Sequence, residues 1–558
     1  MHYDHFTQER EMNNLKHSVV GMTTFILVHV FCAVAQQGSN WVDGELHTFI
    51  TNGAWCWFQD ERAVIDTAKN KLIVSSTSSG NYNNIAIVNL DTKKVESNKQ
   101  TSKLIKWADD HNSPAVIVAP NGNYIAMWAH HYDEWNHIYS IYNGSNWSAE
   151  KKFDWKSIPG GTNFTIAYTN LYYLSDEKRI YNFSRANNKA PNFIYSDDNG
   201  ETWKFGGQLT TNSSNSYNKG YYKYWGNGKD RIDMCFTEEH PRDQTTSIYH
   251  GYIQNKKVFN TEGKEADGDI YNLNFIPTFS NFTKVFAHGT KVNGVTMGRC
   301  WQSDVCTYDD GTIAILFKAR ANNSETDHRN FYARYDGKEW KFTYIGKAGT
   351  KMYADEQDYT GLGALSPDDP DRIYISSPFN PGNDNSQAGK REIWRGITDD
   401  HGATWKWEPV TANSTQDNFR PIIPKWKPGK EALLWFRGTY TTAQIFSTNV
   451  VGTFYEYEAP VATRENSTKT INTISGFKVH TTAGTRQLTV QYTVHAPSAV
   501  SLRLFSLTGQ KIATLLDKNE STGTHSFSCN MTGIPAGTYL ARLTIDGTSH
   551  TRRISVQR

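Results

Sequence analysis

The chain has 558 residues, and its 58 Lys and Arg against 56 Asp and Glu leave a formal charge of only +2. This near neutrality argues against a nucleic-acid-binding protein, which usually carries a strong basic excess. No apolar run of about 18 residues occurs beyond the N-terminus, which excludes a polytopic membrane protein. Aromatic residues make up 13% of the chain and there are 41 glycines, which favours an all-β protein of short strands and tight turns.

Residues 1–37 are predicted to be a removable leader. Lys16 and His17 precede an apolar run over 19–34, and the small residues at 33–35 offer a cleavage position. An N-terminal membrane anchor is the alternative, although the run is short for one. The five cysteines that remain are too few, and odd in number, for a disulfide scaffold. We therefore expect an exported protein with no transmembrane segment in the mature chain.

Residues 38–458 contain a weak internal repeat. The phrase Ser-Asp-Asp-Asn-Gly-Glu-Thr-Trp at 196–203 returns at 398–405 as Thr-Asp-Asp-His-Gly-Ala-Thr-Trp, and shorter forms end at Trp147 and Trp340. The central polar residues and Gly predict a hairpin turn with the Trp packed under it. A unit of about 60–65 residues suits one four-stranded blade, so the region predicts a β-propeller of six or seven blades. The phrase is the Asp-box, and we assign it a structural role.

Asp-box propellers include sialidases, which need three arginines on the substrate carboxylate, a Tyr–Glu nucleophile pair and an Asp acid. The first of these arginines usually lies in an Arg-Ile-Pro phrase before the first Asp-box. This chain has Phe419-Arg-Pro-Ile, in a different order and after the last Asp-box. The sialidase pattern is not met.

A pair of histidines follows in chain order. His111 lies in Asp109-Asp-His-Asn-Ser-Pro114, and His131 ends Trp128-Ala-His-His131, with a turn at 121–123 between them. Two strands of about seven residues joined by that turn would bring both histidines to one end of a hairpin. Two imidazoles there could move protons near neutral pH. A metal pair and ordinary turn histidines are the alternatives.

Tyr168 and Arg185 bracket the next predicted hairpin, and Tyr221-Tyr-Lys-Tyr224 and His240-Pro-Arg242 form a third cluster. Histidine, tyrosine and arginine together suit β-elimination of a uronic acid. That reaction needs a base for the C5 proton, a cation for the carboxylate and an acid for the O4 leaving group. The planar fork of Arg185 fits a carboxylate.

Several segments resemble the BNR-4 propeller family, which includes the ulvan lyases and related rhamnosyl-glucuronate lyases. The resemblance runs in order along 50–452 and implies a seven-bladed propeller. The segments that carry it are 53–62, 110–114, 175–181, 221–224, 240–242 and 434–438. Near the site the chain departs from the family, because the family often has Tyr-Pro-Asn-Pro where this chain has Tyr168-Thr-Asn-Leu.

The resemblance implies a role for each candidate site residue. His111 and Tyr168 would accept and donate the proton, in an order left open, His131 would support them, and Arg185 would neutralise the carboxylate. The residues expected to bind substrate or line the site are Tyr221, Lys223, His130, Arg320 and His328. The chemistry itself requires no cofactor.

Some members of the family hold a structural metal ion, so a zinc or calcium site is also considered. The ligand-type residues in this chain are His240, Cys300 and Cys306. A disulfide between the two cysteines, or plain burial, is equally compatible with the sequence.

The tail, 471–558, is predicted to be a separate small β domain, a sandwich, after a Thr-rich linker at 459–470. Alternating strands are expected at 488–494, 500–505 and 538–543. Its segments at 501–511, 534–540 and 551–556 resemble the C-terminal sorting domain of type IX secretion substrates. That resemblance implies a bacterial protein, secreted or attached to the outer-membrane surface, with the secretion machinery as a partner. A generic carbohydrate-binding or spacer sandwich is the alternative.

We therefore predict a secreted polysaccharide lyase that cleaves a 4-linked uronic acid in an ulvan-like or rhamnose- and glucuronate-containing acidic polysaccharide. A glycoside hydrolase on the same propeller, sialidase-like or rhamnosidase-like, is the second hypothesis. Its candidate carboxylates are Glu238, Glu239 and Asp304. A non-catalytic glycan-binding propeller is the third.

Overall fold

The computed structural model describes residues 38–457 and 478–556, apart from 61, 105–106, 132–133, 159–163, 212–218, 387–388, 483–485, 495–496, 507–510 and 546–547. The predicted leader at 1–37 and linker at 459–470 lie outside these residues. The described chain is all-β, and its helical elements are single 3₁₀ turns at Asp110–Asn112, Trp155–Ser157 and Phe279–Asn281. None of the described helices is long and apolar enough to cross a membrane.

Among the described residues between 47 and 456, seven sheets of four or more strands follow one another. Strands β1 (Trp41–Val42) and β2 (His47–Ile50) come first. Sheet 1 contains β3 (Ala63–Asp66), β4 (Lys71–Ser78), β5 (Tyr82–Asn89) and β6 (Val95–Gln100). Sheet 2 contains β7 (Ala115–Val118), β8 (Tyr124–Ala129), β9 (Asn136–Tyr142) and β10 (Lys151–Asp154). Sheet 3 contains β11 (Phe164–Leu174), β12 (Arg179–Asn187), β13 (Pro191–Ser196) and β14 (Lys204–Gln208).

The next two sheets are larger. Sheet 4 contains β15 (Tyr222–Gly226), β16 (Arg231–Phe236), β17 (Ile248–Gln254), β18 (Lys257–Asn260), β19 (Glu265–Asp267) and β20 (Thr283–Phe286). Sheet 5 contains β21 (Lys291–Val292), β22 (Val295–Thr307), β23 (Ile313–Ala321), β24 (His328–Tyr335) and β25 (Trp340–Gly349).

Two more sheets complete the series. Sheet 6 contains β26 (Gly363–Ser366), β27 (Asp369–Ser377) and, after a hairpin of β28 (Phe379–Asn380) and β29 (Asn385–Ser386), β30 (Glu392–Ile397) and β31 (Lys406–Pro409). Strand β32 (Thr411–Ala412) pairs with β1. Sheet 7 contains β33 (Asp417–Ile422), β34 (Lys430–Thr442) and β35 (Ile445–Glu456), together with β2.

One strand of each sheet, the first in every case except sheet 5, where it is β22, surrounds a common axis. Successive pairs are in contact from β3 to β7, β11, β15, β22, β26 and β33. All seven strand segments or their flanking residues line one cavity of about 320 Å³. The N-terminal strand β2 pairs antiparallel with β35, so sheet 7 joins the two ends of this region. This ring of radial antiparallel sheets is the arrangement of a β-propeller.

The Asp-box phrases form the turns that the sequence predicts. They connect β13 to β14 and β30 to β31, the third and fourth strands of their sheets. Asp198 accepts a hydrogen bond from the Thr202 backbone N–H at 2.9 Å, and Asp400 accepts the equivalent bond from Thr404 at 2.8 Å. Gly200 occupies the left-handed region at φ 85°, where a side chain would be strained. These aspartates hold a turn.

The C-terminal residues form two further sheets. One contains β36 (Lys478–Thr482), β37 (Gln487–Val494) and β40 (Gly523–Asn530). The other contains β38 (Ser498–Phe505), β39 (Lys511–Glu520), β41 (Gly537–Ile545) and β42 (Thr548–Val556). Alternate residues of β37, β38 and β41 are buried in one apolar cluster, as the period-2 pattern predicts.

Candidate active site

A cavity of about 200 Å³ lies at the end of the ring where the first strands begin. The 3₁₀ turn Asp110–Asn112 precedes β7, and Tyr221 directly precedes β15. The residues that line the cavity are His111, His131, Tyr221, His240, Arg242, Tyr353, Asp355, Glu356, Tyr359, Thr442, Ala443 and Gln444. Several loops of the ring therefore meet at one place.

The floor beside this cavity is the buried connection from β2 to β3. Trp57 stacks on Tyr359 with ring centroids 4.9 Å apart, and Phe58 stacks on Trp301 at 3.6 Å. Gln59 donates from Nε2 to the carbonyl of His111 at 2.8 Å. This aromatic segment fixes the backbone of the histidine turn from below.

His111 and His131 form a stacked pair held by one carboxylate. Their rings are parallel within 1°, with centroids 4.1 Å apart. Nδ1 of His111 lies 2.6 Å from Asp109 Oδ1, and Nδ1 of His131 lies 3.0 Å from Asp109 Oδ2. Because both Nδ1 atoms bind the same carboxylate, both Nε2 atoms lie on the side of the rings remote from it. The hairpin of β7 and β8 produces this arrangement, with Val118 opposite Tyr124.

The electrostatics of the pair separate its two proton affinities. Burial opposes a charge on His111, but Cys56, Asp109 and Asp110 outweigh it and hold the pKa of His111 well above its usual value. Burial and the charge of His111 lower the pKa of His131. Despite burial, the two histidines hold the pKa of Asp109 well below its ordinary range. The arrangement thus pairs an imidazolium, which can donate a proton, with a neutral imidazole, which can accept one.

Tyr168 is placed beside the pair by an irregularity in β11. The register between β11 and β12 shifts on both sides of Ala167, and Tyr168 has a left-handed φ of 69°. Such a conformation is costly for a bulky residue and must be held by its surroundings. Nε2 of His137 lies 3.2 Å from the Tyr168 carbonyl, and Nδ1 of His137 accepts from Trp155 at 2.8 Å. The result is a Tyr168 ring 5.5 Å from that of His111.

Arg185 lies on the neighbouring strand, opposite Ala167. Its Nη1 donates to Tyr221 Oη at 3.4 Å, and its guanidinium lies 4.7 Å from the centre of the Tyr221 ring. Nε2 of His240 lies 3.1 Å from the same Tyr221 oxygen, while Nδ1 of His240 accepts the backbone N–H of Arg242. Burial, with the charges of Arg185 and Arg242, holds the pKa of His240 well below its usual value. This side of the site is cationic.

The sequence interpretation missed the loop at 350–362, between β25 and β26. Tyr359 Oη lies 3.4 Å from His111 Nε2 and 3.7 Å from Cys56 Sγ. Glu356 accepts from Arg242 at 3.2 Å. No local pattern marks this loop, and only its contact with residues more than a hundred positions away identifies it. Asp109 lies two residues before His111 in the sequence motif of the first histidine. That closeness in sequence was the signal that could have identified it as the partner of the pair.

Four predicted substrate-binding residues lie elsewhere. Lys223 is 1% exposed beneath the site, where its Nζ donates to the Gln59 carbonyl at 2.9 Å. Arg320 is buried and binds Asp358, with Nε at 3.0 Å from Oδ1. His328 is paired opposite Arg320 and is fully buried. His130 follows β8, is 5% exposed and faces Glu134 at 3.6 Å. None of these four lines the cavity of about 200 Å³.

The predicted metal set is not brought together. Cys300 and Cys306 are both free and buried, which excludes the disulfide alternative. They lie on one strand, and a separation of six residues corresponds to about 20 Å, far beyond disulfide reach. Two groups of metal-type side chains do converge in the described chain: Cys56 with Asp110 and His111, and Asp109 with His111 and His131. The hydrogen bonds of the histidine pair account for the second group, and in the first group Nδ1 of His111 also lies 2.8 Å from Asp110 Oδ1.

The carboxylates considered for a hydrolase are not at the cavity. Glu238 Oε2 accepts the Ser247 backbone N–H at 2.8 Å, and Asp304 Oδ2 accepts that of Leu365 at 2.8 Å. Glu239 forms a backbone bridge with Lys219. The carboxylates that line the cavity are Asp355 and Glu356.

Comparisons with known proteins bear on the fold. A polysaccharide lyase of family PL25, an ulvan lyase solved with -[GlcA(1-4)Rha3S]- bound, is 12% identical with a TM-score of 0.52. The match covers 73% of this chain and 95% of the lyase. A second structure described as this family's ulvan lyase is 13% identical, with the same TM-score and coverage. The polysaccharide lyase Uly1 is 11% identical with a TM-score of 0.45, covering 76% of this chain and 94% of its own.

A family model described as a domain of unknown function, DUF8756, matches residues 460–551. None of the curated proteins matches the chain. The likeness to the PL25 ulvan lyases is therefore one of fold, and residues 460–551 match a family model whose function is not described.

Proposed function

We propose that the protein is a polysaccharide lyase that cleaves a 4-linked uronic acid by β-elimination. The observation that carries the proposal is the stacked His111–His131 pair on Asp109, with Tyr168 beside it and Arg185 buried behind Tyr221, which lines the same cavity as the two histidines. The ulvan lyase that shares the fold was solved with a glucuronate–rhamnose sulfate glycan. We therefore propose an ulvan-like or rhamnose- and glucuronate-containing acidic polysaccharide as the substrate.

The elimination assigns one task to each group. Arg185 neutralises the uronate carboxylate, which makes the C5 proton acidic enough to be removed. A base takes that proton, the C5–H electron pair forms the C4=C5 double bond, and the C4–O4 bond breaks. His131 is the acceptor that the electrostatics favour, because its lowered pKa leaves it neutral.

His111, as an imidazolium, is the matching donor to the departing O4. Tyr168 packs beside His111 and positions the sugar between the pair and Arg185. This proposal moves the acceptor role from His111 or Tyr168, as the family resemblance implies, to His131.

The proposal is tested by the ultraviolet absorbance of the unsaturated uronate product during incubation with ulvan, gum arabic or glucuronan. We expect the wild-type protein to raise the absorbance and His111→Ala to abolish the increase. The matched control is His401→Ala, because His401 is an exposed histidine of an Asp-box turn. New reducing ends without absorbance would instead indicate a hydrolase, and neither signal on any of the glycans would contradict both.

We also propose that the seven sheets are the seven blades of one propeller, and that the residues matched by DUF8756 form a sandwich that directs export. The support is the ring of first strands and the shared apolar cluster of the two C-terminal sheets. Deletion of 459–558 in a bacterium with type IX secretion should retain the protein inside the cell. Unchanged export of the truncated chain would contradict a sorting role.

A further inference from the structure

Glu356 is a buried carboxyl at the cavity that the elimination steps do not use. Its residue is 8% exposed, and Oε1 has no hydrogen-bond partner among the described residues. Oε2 accepts from Nη1 of Arg242 at 3.2 Å. Both residues line the cavity together with His111 and His131. The pair therefore faces the same space as the proposed proton donor and acceptor.

Arg242 has the geometry of an anion-binding residue, and the Glu356 carboxylate occupies its binding position. Its Nε and Nη2 bind the two oxygens of Asp243 at 3.0 and 3.2 Å, which fixes the plane of the guanidinium. The remaining terminal nitrogen, Nη1, is directed to Glu356. The side chain keeps 26% of its surface exposed. A planar guanidinium held in this way can donate hydrogen bonds to the oxygens of a carboxylate or of a sulfate.

The surroundings of Glu356 mix both signs of charge. Several charged and titratable groups interact electrostatically with Glu356. They are Arg242, Asp358, Lys318, His111, Tyr353 and Tyr359. Lys318 and Arg320 are already bound to Asp358. Arg185 and Lys189 add positive charge near His240, which lines the same cavity. An anion that enters the cavity thus meets Arg242, whose Nη1 is bonded to Glu356.

We propose that Arg242 and Glu356 form a proton-linked anion subsite, in which the Glu356 carboxylate holds Arg242 until a carboxylate or sulfate ester of an acidic glycan replaces it. The class of glycan rests on the proposed function, but the exchange itself does not depend on any elimination. The subsite is separate from Arg185, which binds Tyr221. It would select polymers that carry a second acidic group near the cleaved uronate.

The exchange requires Glu356 to take up a proton from solvent. Burial raises the pKa of Glu356 to about 7, although Arg242 opposes the rise. When a ligand anion takes over Arg242, that opposition is lost and an adjacent negative charge is added, so the carboxyl becomes protonated. Affinity for the anion is therefore greatest below this pKa and falls by about tenfold per pH unit above it.

The test uses small anions that the enzyme cannot cleave. Binding of methyl β-D-glucuronide and of sodium sulfate is measured by calorimetry, from about one pH unit below to two units above the pKa of Glu356. Methyl β-D-glucoside is the neutral comparison. The matched control variant is Glu325→Gln, which removes a carboxylate paired with Lys351 at the base of the same loop.

We expect at least one anion to bind more tightly than the glucoside, with a dissociation constant that rises about tenfold per pH unit above the pKa of Glu356. Glu356→Gln should bind it with no such rise, and Glu325→Gln should behave as wild type. Arg242→Ala should weaken binding about 10- to 100-fold. Binding of the glucuronide would identify a carboxylate as the glycan group that binds Arg242. Binding of sulfate would identify a sulfate ester.

Three results would overturn the subsite: no preference for either anion, a pH-independent affinity in the wild type, or an unchanged pH dependence in Glu356→Gln. Neither probe contains a cleavable glycosidic linkage between uronates. The binding measurement therefore supports or overturns the subsite even if the protein has no lyase activity. Failure of the lyase proposal and failure of the subsite are therefore distinguishable.

Discussion

Two buried clusters of this protein contain the same kinds of residue and do different things. The histidine pair, His111 and His131 on Asp109, lines the cavity, and the side chain of His131 is 21% exposed. The Asp358 cluster places Lys318 and Arg320 on one carboxylate, with His328 Nδ1 3.4 Å from Lys318 Nζ. The sequence analysis selected His111 and His131 from the first cluster as site residues. It also selected Arg320 and His328 from the second.

The difference lies in where the polar atoms point. Both Nε2 atoms of the histidine pair are directed away from Asp109, and that of His111 reaches Tyr359 at the cavity. In the Asp358 cluster, Lys318 and Arg320 both pair with the buried Asp358 carboxylate. The two histidines of the pair therefore line the cavity, whereas His328 does not.

The largest expected effect separates the two clusters by activity. Asp109→Asn removes the charge that supports both histidines, so we expect kcat to fall about 10²- to 10⁴-fold. The measurement is the rate of absorbance increase with ulvan, with a thermal melt to show that the fold is kept. A variant with wild-type kcat would remove the basis for treating the pair as the proton-transfer centre.

The second effect is on stability. Asp358→Ala leaves Lys318 and Arg320 as buried cations without their counter-ion, which costs about 3–5 kcal/mol of unfolding free energy. Denaturant unfolding measures this loss. The control replaces all three residues by apolar ones of similar size, which should restore much of the stability because no unpaired charge remains. Loss of kcat without loss of stability in Asp358→Ala would place this cluster in the site after all.

The third effect is the pH profile of kcat. The pKa of His131 is lowered and that of His111 is raised, so acceptor and donor are both in their working forms between the two values. Below the lowered pKa His131 becomes charged, and above the raised pKa His111 loses its proton. We expect a broad plateau around neutral pH with a fall of about tenfold per unit on each side. A single narrow optimum would show that the two groups do not divide the roles in this way.

The smallest effect concerns the support of Tyr168. Trp155→Phe removes the hydrogen bond that orients His137, whose own pKa is lowered to about 4 by burial. We expect a stability loss of about 1 kcal/mol and a modest fall in kcat, since the left-handed Tyr168 is held through the His137 contact. His250→Ala, which breaks a comparable buried bond to Asp233 in sheet 4, should lose stability while keeping kcat. Equal kcat in both variants would show that Tyr168 does not depend on His137.

The local parts of the fold followed from the sequence. The Asp-box phrases predicted hairpin turns, and the spacing of His111 and His131 about the turn at 121–123 predicted that they meet. Both depend on contacts between near neighbours in the chain, which residue type and period-2 alternation control. The fold class and the β character of the tail are of this kind.

The remaining features were not accessible in this way. The sequence suggested that Lys223 lines the site and that Cys300 and Cys306 act together, but a residue's depth depends on what covers it. Lys223 is covered by the segment carrying Gln59, and the two cysteines extend along one strand in different clusters. Burial is decided by neighbours from other sheets.

The sequence by itself determined the strands, the turns and the meeting of the two histidines, because each is a contact within a few tens of residues. Only the tertiary structure decided what faces them. Tyr359 contacts His111 across 248 residues, and Tyr440 contacts Asp110 across 330. Closure of the sheets into a ring brings these loops together at the cavity. A local sequence pattern does not show which distant residues become neighbours when the ring closes.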